Sequence, residues 1–329
     1  MRGAPLVDVN LFVRNGAATI GAAIESVLAQ TWPNLTLTVL DNASTDDTVA
    51  IVRRYMAEIP WLRLRESRVD VGLMANCARA FAHGEAEFVL PKTADDVLAP
   101  DFVARVMGVL LAHPDCAMCH AGAAVFGDAA RVQMVYPEAH RLHAIGADPL
   151  ARAQHVMARY TSAPSFWGIW RRAAVEKLNP FRGNAGWDHA VLAELSLYGE
   201  VRHVPDVLYL RRGAGKTVAR IACAATEAAQ RGLPHDDALG DLRWMTPLIT
   251  TAYAHVETFA LARLPAAQRA ALMALAPRVF RARWGPLLAR EAASFRAALP
   301  RLRDGADAWR ERQIAAVLDA IAAVLPEAV

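Results

Sequence analysis

Long apolar runs are missing from this 329-residue sequence. None reaches the roughly 18 residues that a membrane-crossing helix needs. The opening MRGAPLVDVNLFVRNG has neither a long apolar stretch nor a small-residue cleavage pattern, so a soluble cytoplasmic protein is expected. Cysteine is scarce at four residues. Cys116 and Cys119 form one C-x-x-C, but no second pair follows at zinc-site spacing; with Cys77 and Cys223 they are expected as buried free thiols. A strong charge of one sign is lacking too. The formal balance is +3, with the arginines interleaved among Asp and Glu, which removes the footprint of a nucleic-acid-binding surface. The phosphate loop G-x-x-x-x-G-K, the dinucleotide fingerprint G-x-G-x-x-G, the nucleophile elbow G-x-S-x-G and the metal pair H-x-x-x-H are all absent. ATP hydrolysis, dinucleotide redox chemistry and serine hydrolysis therefore lack support.

What is present is a folded composition, 54% apolar and 21% charged, arranged in alternating periods. VDVNLFV at 7–13 reads as a buried strand, and Ile20, Ala23, Ile24, Val27 and Leu28 then recur at helical spacing over 18–30. A strand at 35–40, a helix at 46–58 behind Ser44-Thr45-Asp46-Asp47, a strand at 61–65 and a helix at 73–83 continue the alternation. A strand at 86–91 and a helix at 100–113 complete it. Strands alternating with helices of this length predict a parallel, doubly wound α/β sheet with a Rossmann-like layout, whose ligands bind beyond the carboxyl ends of the strands. Short strands at 117–135, 165–170 and 207–210 and helices at 172–178 and 187–198 follow. Beyond residue 217 the chain turns helical and alanine-rich, with breaks expected at Pro234, Pro247, Pro265, Pro286 and Pro300. The division expected is a sheet domain at 1–216 and a helical region at 217–329.

Four constellations lie just past strand ends or helix starts. Asp95-Asp96 places two carboxylates at a strand tip, where a divalent cation relieves their repulsion; helix capping is the competing reading. Asp41-Asn42 follows the second strand and can accept from a base N–H or a ribose hydroxyl, or serve as turn chemistry. Trp187-Asp188-His189 opens a helix, where Asp188 can act as a general base or as a cap. Arg211-Arg212, with Lys216 behind a glycine-containing turn, can close on a diphosphate or be a solvated loop.

In this order the pieces resemble the inverting family-two glycosyltransferases of the GT-A fold. The stretch VDVNLFVRNGAATIGAAIESVLAQTWPNLTLTVLDNASTDDT carries the likeness, which runs over roughly residues 5–212. The resemblance implies that Val13 and Asn15 lie by the nucleotide base, that Asp41 with Asn42 binds base or ribose, and that Gly72 and Asn76 form a G-x-x-x-N turn. It implies that Asp95 is the metal-binding acid of a D-x-D motif, with Asp96 beside it, that Asp188 deprotonates the acceptor, and that VPDVLYLRR closes the domain. Thr93 stands where the first acid of D-x-D is usual, so Mn²⁺ or Mg²⁺ would have one carboxylate fewer.

The reaction so implied is transfer of one sugar from a nucleotide-diphosphate sugar, UDP favoured, to an acceptor hydroxyl on a glycan, lipid-linked or protein acceptor, with inversion. Trp167, Trp170 and Trp187 are weaker candidates for stacking on an acceptor, against a simple role in the core. The Q-x-x-R-W signature of processive synthases is absent. Leu261, Leu264, Leu272, Leu275 and Val279 suit packing or a homodimer, while Arg278, Arg281, Arg283 and Arg290 suit peripheral contact with anionic lipid. A sugar-nucleotide-binding protein without catalysis and a nucleotidyltransferase remain the competing functions. The second would need a Gly-rich, Lys-containing loop after the first strand, where only Gly16 occurs.

Overall fold

The structure of the protein is a computed structural model that describes residues 3–127, 131–138, 141–159, 163–179, 186–213 and 242–326. It separates into two compact units. One comprises Met1–Arg152, Arg159–Pro180 and Leu195–Ala214; the other comprises Ala153–Ala158, Phe181–Glu194 and Gly215–Val329.

The first unit is built on a nine-stranded sheet. Its first half alternates β1 (Val7–Val13), α1 (Ile20–Leu28), β2 (Leu35–Asp41), α2 (Thr48–Glu58), β3 (Leu62–Glu66), α3 (Leu73–Ala82) and β4 (Phe88–Thr93). These follow the sequence pattern within a few residues, because apolar runs and helical spacing are local signals. Every residue of β1 is buried, as befits a strand flanked by β2 and β4 and covered on both faces. Asp8 on β1 is part of this framework. Its carboxylate accepts from Thr36 Oγ1, from the Ala86 amide and from Arg172 Nη2, at 2.8, 2.9 and 2.9 Å.

The second half departs from a uniformly parallel sheet. It contains β5 (Val97–Leu98), α4 (Phe102–Ala112), β6 (Cys116–Phe126), β7 (Val132–Val135), α5 (Pro149–Arg159), β8 (Gly168–Arg171), α6 (Arg172–Val175), α7 (Trp187–Tyr198) and β9 (Glu200–Arg212). The strand order is β3-β2-β1-β4-β8-β6-β9-β5, with β7 on β6. β1 to β4 pair in parallel, but β8 runs antiparallel to both β4 and β6, and β5 antiparallel to β9. A single crossover helix makes consecutive strands parallel. β8 instead follows a long connection that contains α5 and leaves its direction free. Trp170 on β8 is fully buried and packs edge-on against Phe81 at 4.8 Å and Phe166 at 5.3 Å. Cys77, Cys116 and Cys119 are buried free thiols, and burial pushes Cys116 up to about 11. Cys223 lies outside the described residues.

The second unit is helical, with the first turns of α7 joined by α8 (Pro247–Leu261), α9 (Ala266–Arg303) and α10 (Ala308–Val324). Pro247 opens α8 and Pro265 precedes α9, as expected of residues whose missing N–H falls where none is needed. The break expected at Pro286 is present: the span Ala266–Arg303 is two helices that meet at Trp284, whose φ of −129° and ψ of 20° are non-helical, just before Pro286. Pro300 does not end a helix, and Pro277, like it, lies inside one. Pro234 lies outside the described residues. Glu291 of α9 receives the Leu248 and Ile249 amides at 3.1 Å, capping α8 from a neighbouring helix. No helix among the described residues is long and apolar enough to cross a membrane.

Candidate active site at the ends of three parallel strands

Register brings the first candidates together. Val13 pairs with Asp41 across β1 and β2, and Phe12 pairs with Thr93 across β1 and β4. Three strand ends thus stand side by side at the edge where such sheets take ligands.

The loops above β1 and β2 are locked to each other. Asn15 has φ of 52°, a left-handed conformation that Asn tolerates better than most residues. Its amide donates to Ser44 Oγ, and its side-chain carbonyl accepts from the Thr45 amide, both at 2.8 Å. The Gly16 amide donates to Thr48 Oγ1 at 2.8 Å and the Ala17 amide to Asp46 at 3.0 Å. Residue 16 has to be glycine, because a Cβ there would lie 2.6 Å from Val13 Cγ2.

Asn42 and Asn76 tie the next loop in. Asn42 donates to Asp70 Oδ1 at 2.5 Å and accepts the Val71 amide at 2.9 Å. Asp70 is also paired with Arg14 at 3.0 Å, and the Gly72 amide, Asn42 and Arg14 hold its carboxyl below the usual range. An acid at 42 would set a second carboxylate against Asp70, so the amide suits this loop. Gly72, at φ 81° and ψ 160°, occupies a region only glycine enters readily. Asn76 donates to the carbonyls of Val13 and Leu40, each at 3.3 Å, fastening α3 to β1 and β2.

Within this frame Asp41 is anomalous. It is 2% exposed, and Oδ2 accepts the Ser44 amide at 3.1 Å. Oδ1 is buried and has no hydrogen-bond partner among the described residues. A buried acceptor left unmatched carries a desolvation penalty that a ligand's N–H or O–H would remove.

The turn after β4 is the opposite case. Asp96 is 3% exposed and engaged on both oxygens: Oδ2 accepts from Thr93 Oγ1 and Tyr209 OH, both at 2.8 Å, and Oδ1 accepts the Arg212 amide at 3.0 Å. Burial first, and the neighbouring Asp95 charge next, raise its pKa. Of the two carboxylates expected at a metal, Asp96 is thus already engaged by three protein donors. Lys92, wholly buried on β4, donates to the carbonyls of Thr93 and Asp96 inside the same turn. Burial pulls its ammonium down to about 8. Asp95 is half-buried and has no hydrogen bond among the described residues, which makes it the open carboxylate of the pair. No group of three or more His, Cys, Asp or Glu side chains converges as a metal site among the described residues.

Arg211 and Arg212 end β9 in register with Val125 and Phe126 of β6. Arg211 donates to Tyr136 OH at 3.2 Å, and its buried Nε has no partner among the described residues. Arg212 lies over the Phe126 ring at 4.7 Å. Lys216 falls outside the described residues.

Trp167 is 8% exposed, lies 6.0 Å from the Phe12 ring, and keeps a buried indole N–H without a partner among the described residues. Trp170 is a core residue whose N–H donates to the Phe166 carbonyl at 3.3 Å; of its two readings the role in the core holds and acceptor stacking does not, because no face of it reaches solvent. In the second unit, Trp187 and Asp188 occupy the first turn of α7, half-buried, and Asp188 Oδ1 accepts the His189 amide at 2.9 Å.

Sequence reasoning passed over Lys92, Tyr209 and Asp70. Lys92 left one signal, a lone cation in the apolar run AEFVLPKT. Tyr209 and Asp70 left none, because their partners lie 113 and 28 residues away.

Comparison with known proteins agrees with this layout. Residues 9–161 match the glycosyl transferase family 2 model. The putative glycosyltransferase EpsE of Bacillus subtilis (strain 168) is 27% identical over 129 residues, 39% of this chain and 46% of that one. Chondroitin synthase of Escherichia coli is 30% identical over 104 residues, 31% of this chain and 15% of that one. The chain spans less than half the length of the curated relatives it matches. Among solved structures, S. aureus TarS 1–349 in complex with UDP-GlcNAc has a TM-score of 0.59 at 16% identity, covering 98% of this chain and 82% of that one. Mannosyltransferase PcManGT from Pyrobaculum calidifontis, in complex with GDP-Man and Mn²⁺, has a TM-score of 0.53 at 18% identity, covering 99% and 82%. The fold is therefore GT-A, with helices in its C-terminal region.

Proposed function

We propose that this chain is a family 2 glycosyltransferase, which moves one sugar from a nucleotide-diphosphate donor, UDP-linked by preference, to an acceptor hydroxyl with inversion. The observation that carries the reading is the unmatched, buried Oδ1 of Asp41 at the end of β2. A base N–H or a ribose hydroxyl supplies the donor that this oxygen lacks. The family match over residues 9–161 and the nucleotide sugars held by TarS and PcManGT support the same reading.

Each residue then has a task. The interlocked turns carrying Val13, Asn15, Asn42, Gly72 and Asn76 hold the floor under the base without moving, which preorganises binding. Thr93 Oγ1 still has lone pairs for a ribose hydroxyl while donating to Asp96. Arg211 and Arg212 neutralise the departing diphosphate. Asp188 takes the acceptor proton as the hydroxyl attacks the anomeric carbon, and the bond to the diphosphate breaks on the far side.

A divalent ion fits the residues as one carried in with the donor. Asp95 offers one open carboxylate, and Mg²⁺ is commonly held by one or two carboxylates together with substrate phosphates. Asp95 would hold it, and bound there it adds positive charge at the diphosphate.

The test is hydrolytic turnover of UDP-GlcNAc and GDP-mannose, with water as the acceptor hydroxyl and nucleoside-diphosphate release as the signal, in the wild type and in Asp188→Asn. The expected outcome is a loss of at least about 100-fold in kcat with UDP binding retained. Turnover unchanged in Asp188→Asn would overturn the assignment of the base, and binding without turnover in the wild type would favour a silent sugar-nucleotide-binding protein.

A further inference from the structure

The first turn of α7, which carries Asp188, belongs to the second unit and is built into it tightly. Gly186 has φ of 73°, and a Cβ at that position would fall 2.0 Å from Thr251 Oγ1 on α8. The backbone before Trp187 therefore lies directly against α8, with no room for any side chain. Three residues on, His189 is 6% exposed and His255 of α8 is fully buried, with Nδ1 of the first 3.0 Å from Nε2 of the second. His255 Nδ1 lies 2.7 Å from the Thr251 carbonyl. Phe280 of α9 closes the pocket, its ring 5.9 Å from His189 and 5.1 Å from His255.

The proton positions follow from this geometry. A carbonyl oxygen only accepts, so His255 Nδ1 carries the hydrogen that meets Thr251. Burial lowers His255 to about 4, so the ring is neutral and its Nε2 is an acceptor. His189 Nδ1 must then carry the hydrogen between the rings. The chain of bonds runs one way, from α7 through His255 to the backbone of α8. It is buried, directional and adjacent in sequence to Asp188, whose Oδ1 accepts the His189 amide.

We infer that α8 is the mount of the candidate base: His255 and the Gly186–Thr251 contact fix the first turn of α7, and so the position of Asp188. This gives the C-terminal helices a catalytic-support role, and it rests on the reading of Asp188 as the base. His255 is a positioning residue, since it touches α7 and not the reacting atoms. A displacement of about 1 Å at a catalytic group can cost on the order of 100-fold in rate.

The experiment compares four full-length proteins: wild type, His255→Leu, His255→Gln and Val317→Ala, the last a core change on α10 away from the histidines. Hydrogen exchange across residues 186–194 and the kcat and KM for UDP-GlcNAc or GDP-mannose are read below the melting temperature of every variant. His255→Leu is expected to exchange faster across 186–194 and to lose at least tenfold in kcat with donor KM within about twofold. His255→Gln, which restores an acceptor, is expected to recover part of both. Val317→Ala is expected to lower Tm with neither effect. Wild-type exchange and wild-type kcat in His255→Leu would overturn the inference. Should Asp188→Asn turn over normally, the base assignment fails by itself, and the exchange measurement still decides whether α8 holds the turn.

Discussion

At the carboxyl ends of β2 and β4 stand two carboxylates buried to almost the same degree, Asp41 at 2% exposure and Asp96 at 3%, in surroundings that differ in kind. Asp96 meets three protein donors, one of them on a tyrosine 113 residues away. Asp41 meets one, and its other oxygen meets none among the described residues. Burial by itself does not separate structural acids from ligand-binding ones. What differs is the match: Asp96 is engaged on both oxygens, whereas Asp41 Oδ1, like Asn10 Oδ1 on β1, is a buried acceptor without a donor among the described residues, and the proposed nucleotide would supply one to Asp41.

The comparison makes Asp96 a folding residue, and its removal is the harshest way to break it. Asp96→Ala leaves the hydroxyls of Thr93 and Tyr209 and the Arg212 amide without their acceptor, and is expected to cost about 3 kcal/mol or more in urea unfolding. A loss below about 1 kcal/mol would mean that the turn is held by other bonds. Next in size is Asn42→Asp, which places a carboxylate against Asp70. A smaller fall in Tm is expected at pH 7, and it should vanish below about pH 4, where one carboxyl takes up a proton.

The smallest effect concerns Glu291, an acid matched like Asp96 but in the helical unit. Burial raises it from 4.5 to about 7 despite two backbone amides. The folded form thus holds its proton more tightly than the unfolded form does. Its stabilising share is fully present below pH 4.5 and is lost as pH rises through about 7. Melting curves between pH 4.5 and 8 should show this slope in the wild type and not in Glu291→Gln.

Much of this contrast was invisible in the sequence, for a physical reason. The alternation from β1 to β4 was legible because apolar period and turn residues act over a few neighbours, and Asp41, Thr93 and Asp95 could be placed at strand ends from it. The bonds to Asp96 from Tyr209 and Arg212 could not, since they depend on β9 returning beside β5. Neither could the direction of β8, a four-residue strand after a long connection, nor the continuation of α9 through Pro300. Trp170 kept both readings open, core and platform, because an aromatic residue near a site reads the same whether it faces solvent or core.

Calorimetric titration of UDP into the wild type and Asp41→Ala tests the nucleotide site most directly. The account predicts saturable binding by the wild type and a loss of about 10-fold to 100-fold in affinity for Asp41→Ala, the worth of a hydrogen bond to a charged group, with the fold intact. Equal binding of UDP by the two proteins, or no binding of UDP or GDP by the wild type, would contradict it.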